Sequence, residues 1–203
     1  MADKYANFAE LSASETYGVD YQIVFESRPS NIIAMAIHGG GIETGTSELT
    51  VDIAGSLYSY YLFEGLKSSG NQDLHITSTN FDEPNALRMV GEADYCLTLH
   101  GYADTVKHTK VGGADHDLKQ LVYDKLTEAG FSAEILPEGT SLAGSDSDNI
   151  VNKDRRGMGV QLEISTPQRN AFFGINTRAD RKNTQTAEFY AYTQVLKDIL
   201  SSI

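Results

Sequence analysis

The chain has 203 residues, 40% hydrophobic and 22% charged, a balance that suits one compact core and excludes a disordered or fibrous chain. Its formal net charge of −12 argues against nucleic acid as a partner, because neutralising phosphates takes clustered Lys and Arg. No apolar run approaches the roughly 20 residues of a membrane span, and the opening Met1-Ala2-Asp3-Lys4 lacks the charged-then-apolar pattern of a signal peptide. These features predict synthesis as a soluble cytoplasmic chain, with cell lysis as a route to any extracellular substrate. The lone Cys96 excludes an internal disulfide; within Tyr95-Cys96-Leu97-Thr98-Leu99 it reads as a buried, inert thiol.

In chain order, the hydrophobic pattern predicts strands at 22–26 and 32–37 and a helix over 47–66. A strand at 75–78, a helix over 83–91 and a strand at 96–100 follow, with a further edge strand at 106–111. A helix over 115–129 leads to strands at 133–136 and 159–164, and a helix over 184–200 closes the chain. Asp148 reads as the cap of a short helix starting near Asn149. Strands alternating with helices, without repeats or linkers, predict an α/β fold: one domain over 1–203, a three-layer sandwich about a mixed, largely parallel sheet.

Charge is unevenly spread. Between 153 and 182, seven basic residues (Arg155, Arg156, Arg169, Arg178, Arg181, Lys153 and Lys182) meet three acidic ones, a local +4. Two readings stand: solvated loop residues with local ion pairs, or a basic wall beside a site that handles an anionic substrate.

Three apolar runs each stop at a titratable group. Residues 32–37 stop at His38, followed by Gly39-Gly40-Gly41-Ile42-Glu43; residues 96–99 stop at His100; residues 159–162 stop at Glu163. Ligands of open α/β sheets bind beyond the carboxyl ends of strands. Two imidazoles and a carboxylate form an ordinary shell for catalytic zinc, with a second carboxylate free to act as base. The loop from Gly40 to Ser47 nearly fits a phosphate-cradling motif, but Thr46 stands where its lysine belongs. His38-Gly39-Gly40-Gly41 echoes an esterase oxyanion loop, but the chain has no G-x-S-x-G nucleophile elbow.

Four segments in order, His38-Gly39-Gly40-Gly41-Ile42-Glu43, the run from His75 to Pro84, Leu99-His100-Gly101 and Gln161-Leu162-Glu163-Ile164-Ser165, resemble the poly-γ-glutamate hydrolases of Bacillus and its phages. These are similar to the zinc carboxypeptidases in fold and metal site, and the likeness runs from about residue 15 to the C-terminus. The resemblance implies one zinc ion per chain, held by His38, Glu43 and His100, with Glu163 as the catalytic carboxylate. It also implies poly-γ-glutamate as substrate. Segments that would select a chain terminus are not evident, which makes internal cleavage the expectation. On that scheme Arg88 is the first candidate for stabilising the oxyanion. Arg155, Arg156, Arg169 and Arg178 are candidates for binding substrate carboxylates, and Asn80 either orients substrate or forms a turn. His75 reads as structural. A zinc amidase for another acyl-amino acid, or a non-catalytic module that holds an anionic polymer, are the other classes open to this sequence. A monomer is expected.

Overall fold

The computed structural model describes residues 3–203; Met1 and Ala2, part of the reading of the opening residues, lie outside them. Seven strands form one sheet in the order β1-β3-β2-β4-β7-β5-β6. They are β1 (Tyr21–Glu26), β2 (Ile32–Gly40), β3 (Ser59–Gly65), β4 (Tyr95–Tyr102), β5 (Thr109–Gly113), β6 (Ala133–Ile135) and β7 (Val160–Ser165). The central β3-β2-β4-β7 unit is parallel, whereas β1 runs antiparallel to β3 and β5 antiparallel to β7. The helices are α1 (Phe8–Ser14), α2 (Thr46–Ala54), α3 (Pro84–Glu92), α4 (His116–Glu128), α5 (Thr166–Ala171) and α6 (Ala187–Leu200).

Side chains alternate across the pleat, so each buried strand feeds two cores. Ala34, Leu97, Leu99 and Leu162 face the layer built by α2, α4 and α6. Ile33, Met35, Ile37, Tyr61 and Phe63 face the layer with α1 and α3. Every residue of β2 is buried. Each of its Ile and Met side chains contributes about 1.5–3 kcal/mol by leaving water, and burial on both faces makes β2 read as an unbroken apolar run rather than an alternating one.

From β2 the chain crosses through α2 to β3 on one side, then through α3 to β4 on the other. The crevice this leaves at the carboxyl ends of β2 and β4 is a topological switch point. His38 and His100 stand at this crevice, each near the end of its strand.

Three expected elements are corrected. The helix expected over 47–66 stops at Ala54, where Gly55 takes φ +54, and Ser59–Gly65 is a strand. Both faces of β3 are largely covered, so its Tyr and Phe residues show no period of two. The segment 75–78 is a loop after a short 3-10 turn at Asn71–Leu74. The strand expected at 106–111 runs from Thr109 to Gly113 and lies between β7 and β6; β6, three residues long, is the edge. Asn149, not Asp148, caps the short turn Ile150–Asn152 by accepting from the Val151 N–H. Cys96 is buried against Met35, and burial pushes its thiol up.

Candidate active site and metal centre

The end of β2 sets the site. Its register against β3 slips between Ala36 and Gly39, a bulge that re-aims the chain just where His38 stands. The backbone then turns through Gly40 at φ +66, and Glu43 N–H donates back to the His38 carbonyl at 2.8 Å. This return brings both side chains to one point. His38 Nδ1 lies 3.2 Å from Glu43 Oε1, His100 Nδ1 lies 3.5 Å from Glu43 Oε2, and the two Nδ1 atoms are 3.1 Å apart.

The donor chemistry fits a cation. His38 Nε2 faces the Ile76 carbonyl at 2.8 Å, an acceptor only, so Nε2 carries the hydrogen and Nδ1 a lone pair. His100 Nε2 is buried without a partner. With the His100 hydrogen there, two lone pairs and a carboxylate converge and repel one another unless positive charge lies among them. Their separations match the edge of a tetrahedron with bonds of about 2.05 Å, roughly 3.3 Å. In the metal-free chain burial opposes a proton on His100, but the Glu43 carboxylate nevertheless raises the imidazole above its ordinary value. Burial likewise opposes charge on Glu43, and the two imidazoles nevertheless hold its carboxyl well below the usual range.

His75 also comes near, and His38, Glu43 and His75 offer ligand atoms within 4.8 Å of one another. Its ring, however, stacks on His38 at 4.0 Å and 26°, so the lone pairs of the two rings lie in nearly parallel, offset planes that do not meet at a nearby ion. The His38 and His100 rings are inclined at 69°, with facing nitrogens. Asp3 Oδ1 holds His75 Nδ1 at 2.7 Å. His75 thus lines the site and orients His38, a role its sequence position at the start of an expected strand did not suggest.

Glu163 stands beside this cluster, paired in register with His100 across β4 and β7. Burial pushes its carboxyl up to about 7; His100 opposes that shift and Glu43 adds to it. All four groups line a cavity of about 780 Å³ at the carboxyl ends of the strands.

The arginines divide. Ser165 caps α5 directly after β7, which turns Arg169 back over the cavity. Arg169 is 6% exposed and donates to the Ile164 carbonyl, to the Thr44 carbonyl and hydroxyl, and to Thr166. Arg181, 1% exposed, binds Glu48 and the Gly40 carbonyl, bracing the same loop. Arg155 and Arg156 pair with Asp94 and Asp115 at the opposite, amino ends of β4 and β7. Arg178 is exposed, and Arg88 lies on the surface of α3 paired with Glu92. Asn80 is exposed, its N–H closing a turn onto Thr77. Of the expected basic wall, Arg169 alone reaches the cavity; the remaining rim is hydroxyl-rich, with Thr77, Ser78, Thr79, Thr140, Ser141 and Ser145.

The family profile described as poly-gamma-glutamate hydrolase matches residues 5–195. The chain belongs to the poly-γ-glutamate hydrolase family. It is 48% identical over 200 residues to the SPβ prophage-derived UPF0714 protein YoqZ of Bacillus subtilis (strain 168), covering 98% of this chain and 72% of that one. Among solved structures, a bacteriophage poly-γ-glutamate hydrolase superposes with TM-score 0.94 at 41% identity, covering 99% and 98% of the two chains. YndL in its zinc-free apo form does so with TM-score 0.96 at 44% identity, covering 98% of each. N-formylglutamate amidohydrolase from Ralstonia eutropha JMP134 (TM-score 0.55, 10% identity, 89% and 95% covered) shares the fold alone. The family's enzymes are hydrolases, and the α/β sandwich is the zinc-carboxypeptidase-like fold expected from the sequence. No helix among the described residues is long and apolar enough to cross a membrane.

Proposed function

We propose that this member of the family is a monomeric enzyme that cuts γ-glutamyl amide bonds within poly-γ-glutamate, using one zinc ion held by His38, Glu43 and His100. The observation that carries the reading is the convergence of two imidazole Nδ1 atoms and the two oxygens of one carboxylate, at contacts of 3.1–3.5 Å, beside Glu163 in the switch-point cavity. A zinc ion there supplies a Lewis acid that makes water a competent nucleophile at neutral pH.

The chain's own residues supply the rest. Glu163 takes the proton of the attacking water and delivers it to the departing amide nitrogen; a carboxyl lifted to about 7 is suited to both transfers. The Gly101 N–H donates to Glu43 Oε2 at 2.9 Å and keeps that carboxylate turned toward the two imidazoles. Arg169 places four hydrogen-bond contacts among five N–H groups, and the remaining Nη2 hydrogen binds a substrate carboxylate or the developing oxyanion. Arg88, paired with Glu92 outside the cavity, has no reach to that position. A terminal carboxylate is best gripped by a free bidentate guanidinium. Arg169 has one spare donor, which supports internal cleavage.

The test is metal content per purified chain, together with loss of poly-γ-glutamate viscosity before and after chelation. About one zinc per chain, with viscosity loss abolished by chelator and restored by zinc, is the expected result. Activity indifferent to chelation, without bound metal, overturns the three-ligand assignment. Equal cleavage of α-linked glutamyl peptides overturns the γ-linkage preference.

A further inference from the structure

Gln161 sits two residues before Glu163 on the same face of β7, 4% exposed, with its amide inside the cavity wall. Its Nε2 donates to Glu163 Oε1 at 2.8 Å, and its Oε1 accepts from Asn149 Nδ2 at 2.9 Å. Asn149, also 4% exposed, uses its Oδ1 to accept from the Val151 backbone N–H at 3.1 Å. Side-chain amides can be built either way round, but a backbone N–H can only donate. Val151 therefore sets the sense of the whole chain: Asn149 must offer its NH₂ to Gln161, and Gln161 must offer its NH₂ to Glu163. Reversing either amide places oxygen against oxygen in a buried site.

The same amide touches the cavity rim. Gln161 Nε2 lies 3.4 Å from the Leu142 carbonyl, and Gly144, at φ +60, packs so closely on Gln161 that a Cβ there would meet its amide oxygen at 2.8 Å. Asn152 holds the rim from beneath by donating to the Gly144 and Asp146 carbonyls. We infer that Asn149 and Gln161 form a one-way hydrogen-bond relay that orients Glu163, fixing Oε1 so that Oε2 meets the water, and that registers the 139–146 rim against that carboxylate. Gln161 and Asn149 are positioning residues on this account. The inference rests on the proposed role of Glu163.

Two variants separate this relay from general packing. Gln161→Met keeps the side chain's length and removes its amide. Asn149→Asp keeps the oxygen that caps Val151 and puts a carboxylate oxygen where the NH₂ faced Gln161, so Gln161 can meet it only by turning its own oxygen toward Glu163. Each is expected to lower kcat on a γ-glutamyl oligomer by about 10- to 100-fold, the usual cost of losing an outer partner of a reacting group, with KM within about twofold and metal content unchanged. Asn149→Asp added to Gln161→Met should cost nothing further, because it acts through the missing amide. If Gln161→Met misfolds, Asn149→Asp alone decides. Wild-type kcat in the variants, or a raised KM at unchanged kcat, overturns the relay while an inactive Glu163→Gln leaves the assignment of Glu163 intact. Full turnover by Glu163→Gln overturns both.

Discussion

Gly101 has no side chain because the Arg169 guanidinium occupies the space where one would be. The pairing joins β4 to α5 across the floor of the cavity, and Gly101 lies beside the proposed ligand His100. Gly101→Ala must push Arg169 off the Thr44 and Ile164 carbonyls that hold it. We expect kcat/KM to fall by about 10- to 100-fold, the range of a lost positioned donor. Combined with Arg169→Ala, it should add little, since both act on one guanidinium. Additive losses in the double variant would show that Gly101 serves something other than Arg169.

Arg88 and Arg169 differ in place rather than in kind. Arg88 pairs with Glu92 one helical turn away on an exposed face, an arrangement worth a few tenths of a kcal/mol. Arg88→Ala is expected to keep kcat/KM within about twofold and Tm within about 1 °C. Arg169→Ala should lose about 100-fold or more in kcat/KM. Steady-state kinetics on the two proteins decides, and a large loss from Arg88→Ala would return the oxyanion role to α3.

Salt should matter little. Arg169 is the one Lys or Arg among the described cavity-lining residues, and the chain as a whole carries −12. Added salt weakens one local attraction and screens a general repulsion of a polyanion. We expect kcat/KM on the polymer to change by less than about threefold between roughly 20 and 200 mM salt. A steep fall would reveal a cationic surface outside this cavity.

In the metal-free chain, burial lifts the Glu163 carboxyl from 4.5 to about 7. Across that interval the folded form keeps a proton that the unfolded chain has released, so stability falls as pH rises from about 4.5 to about 7. Glu163→Gln has no such proton to lose. The Tm of metal-free Glu163→Gln relative to metal-free wild type should therefore climb across this window, by on the order of 10 °C, and level off above it. Thermal unfolding at a series of pH values measures it. A constant difference would mean that Glu163 ionises freely in the fold.

Much of this arrangement was legible because it depends on local pattern. The apolar runs before His38, His100 and Glu163 are buried parallel strands, and strand ends are where side chains reach a crevice. What local pattern could not supply was the direction of a side chain on a helix or the identity of its distant partner. Arg155 and Arg156 read as neighbours of the site along the chain, yet Asp94 and Asp115 hold them at the far end of the strands. β3 reads as helix because covering on both faces erases the alternation that marks a strand; the one local sign of the helix stop is a glycine, Gly55. His75 and Asp3 meet over 72 residues of sequence, a contact no spacing rule anticipates.

The bracing of the His38–Glu43 loop by Arg181 has a consequence for biosynthesis. The Gly40 carbonyl and Glu48 emerge from the ribosome early, but the guanidinium that fixes them follows 141 and 133 residues later. His100, Glu163 and Arg169 are likewise delivered in turn. The nascent chain thus exposes two of the proposed ligands long before the scaffold that aims them exists. On the proposed ligand set, selective binding of an ion therefore belongs to the finished protein rather than to the nascent chain.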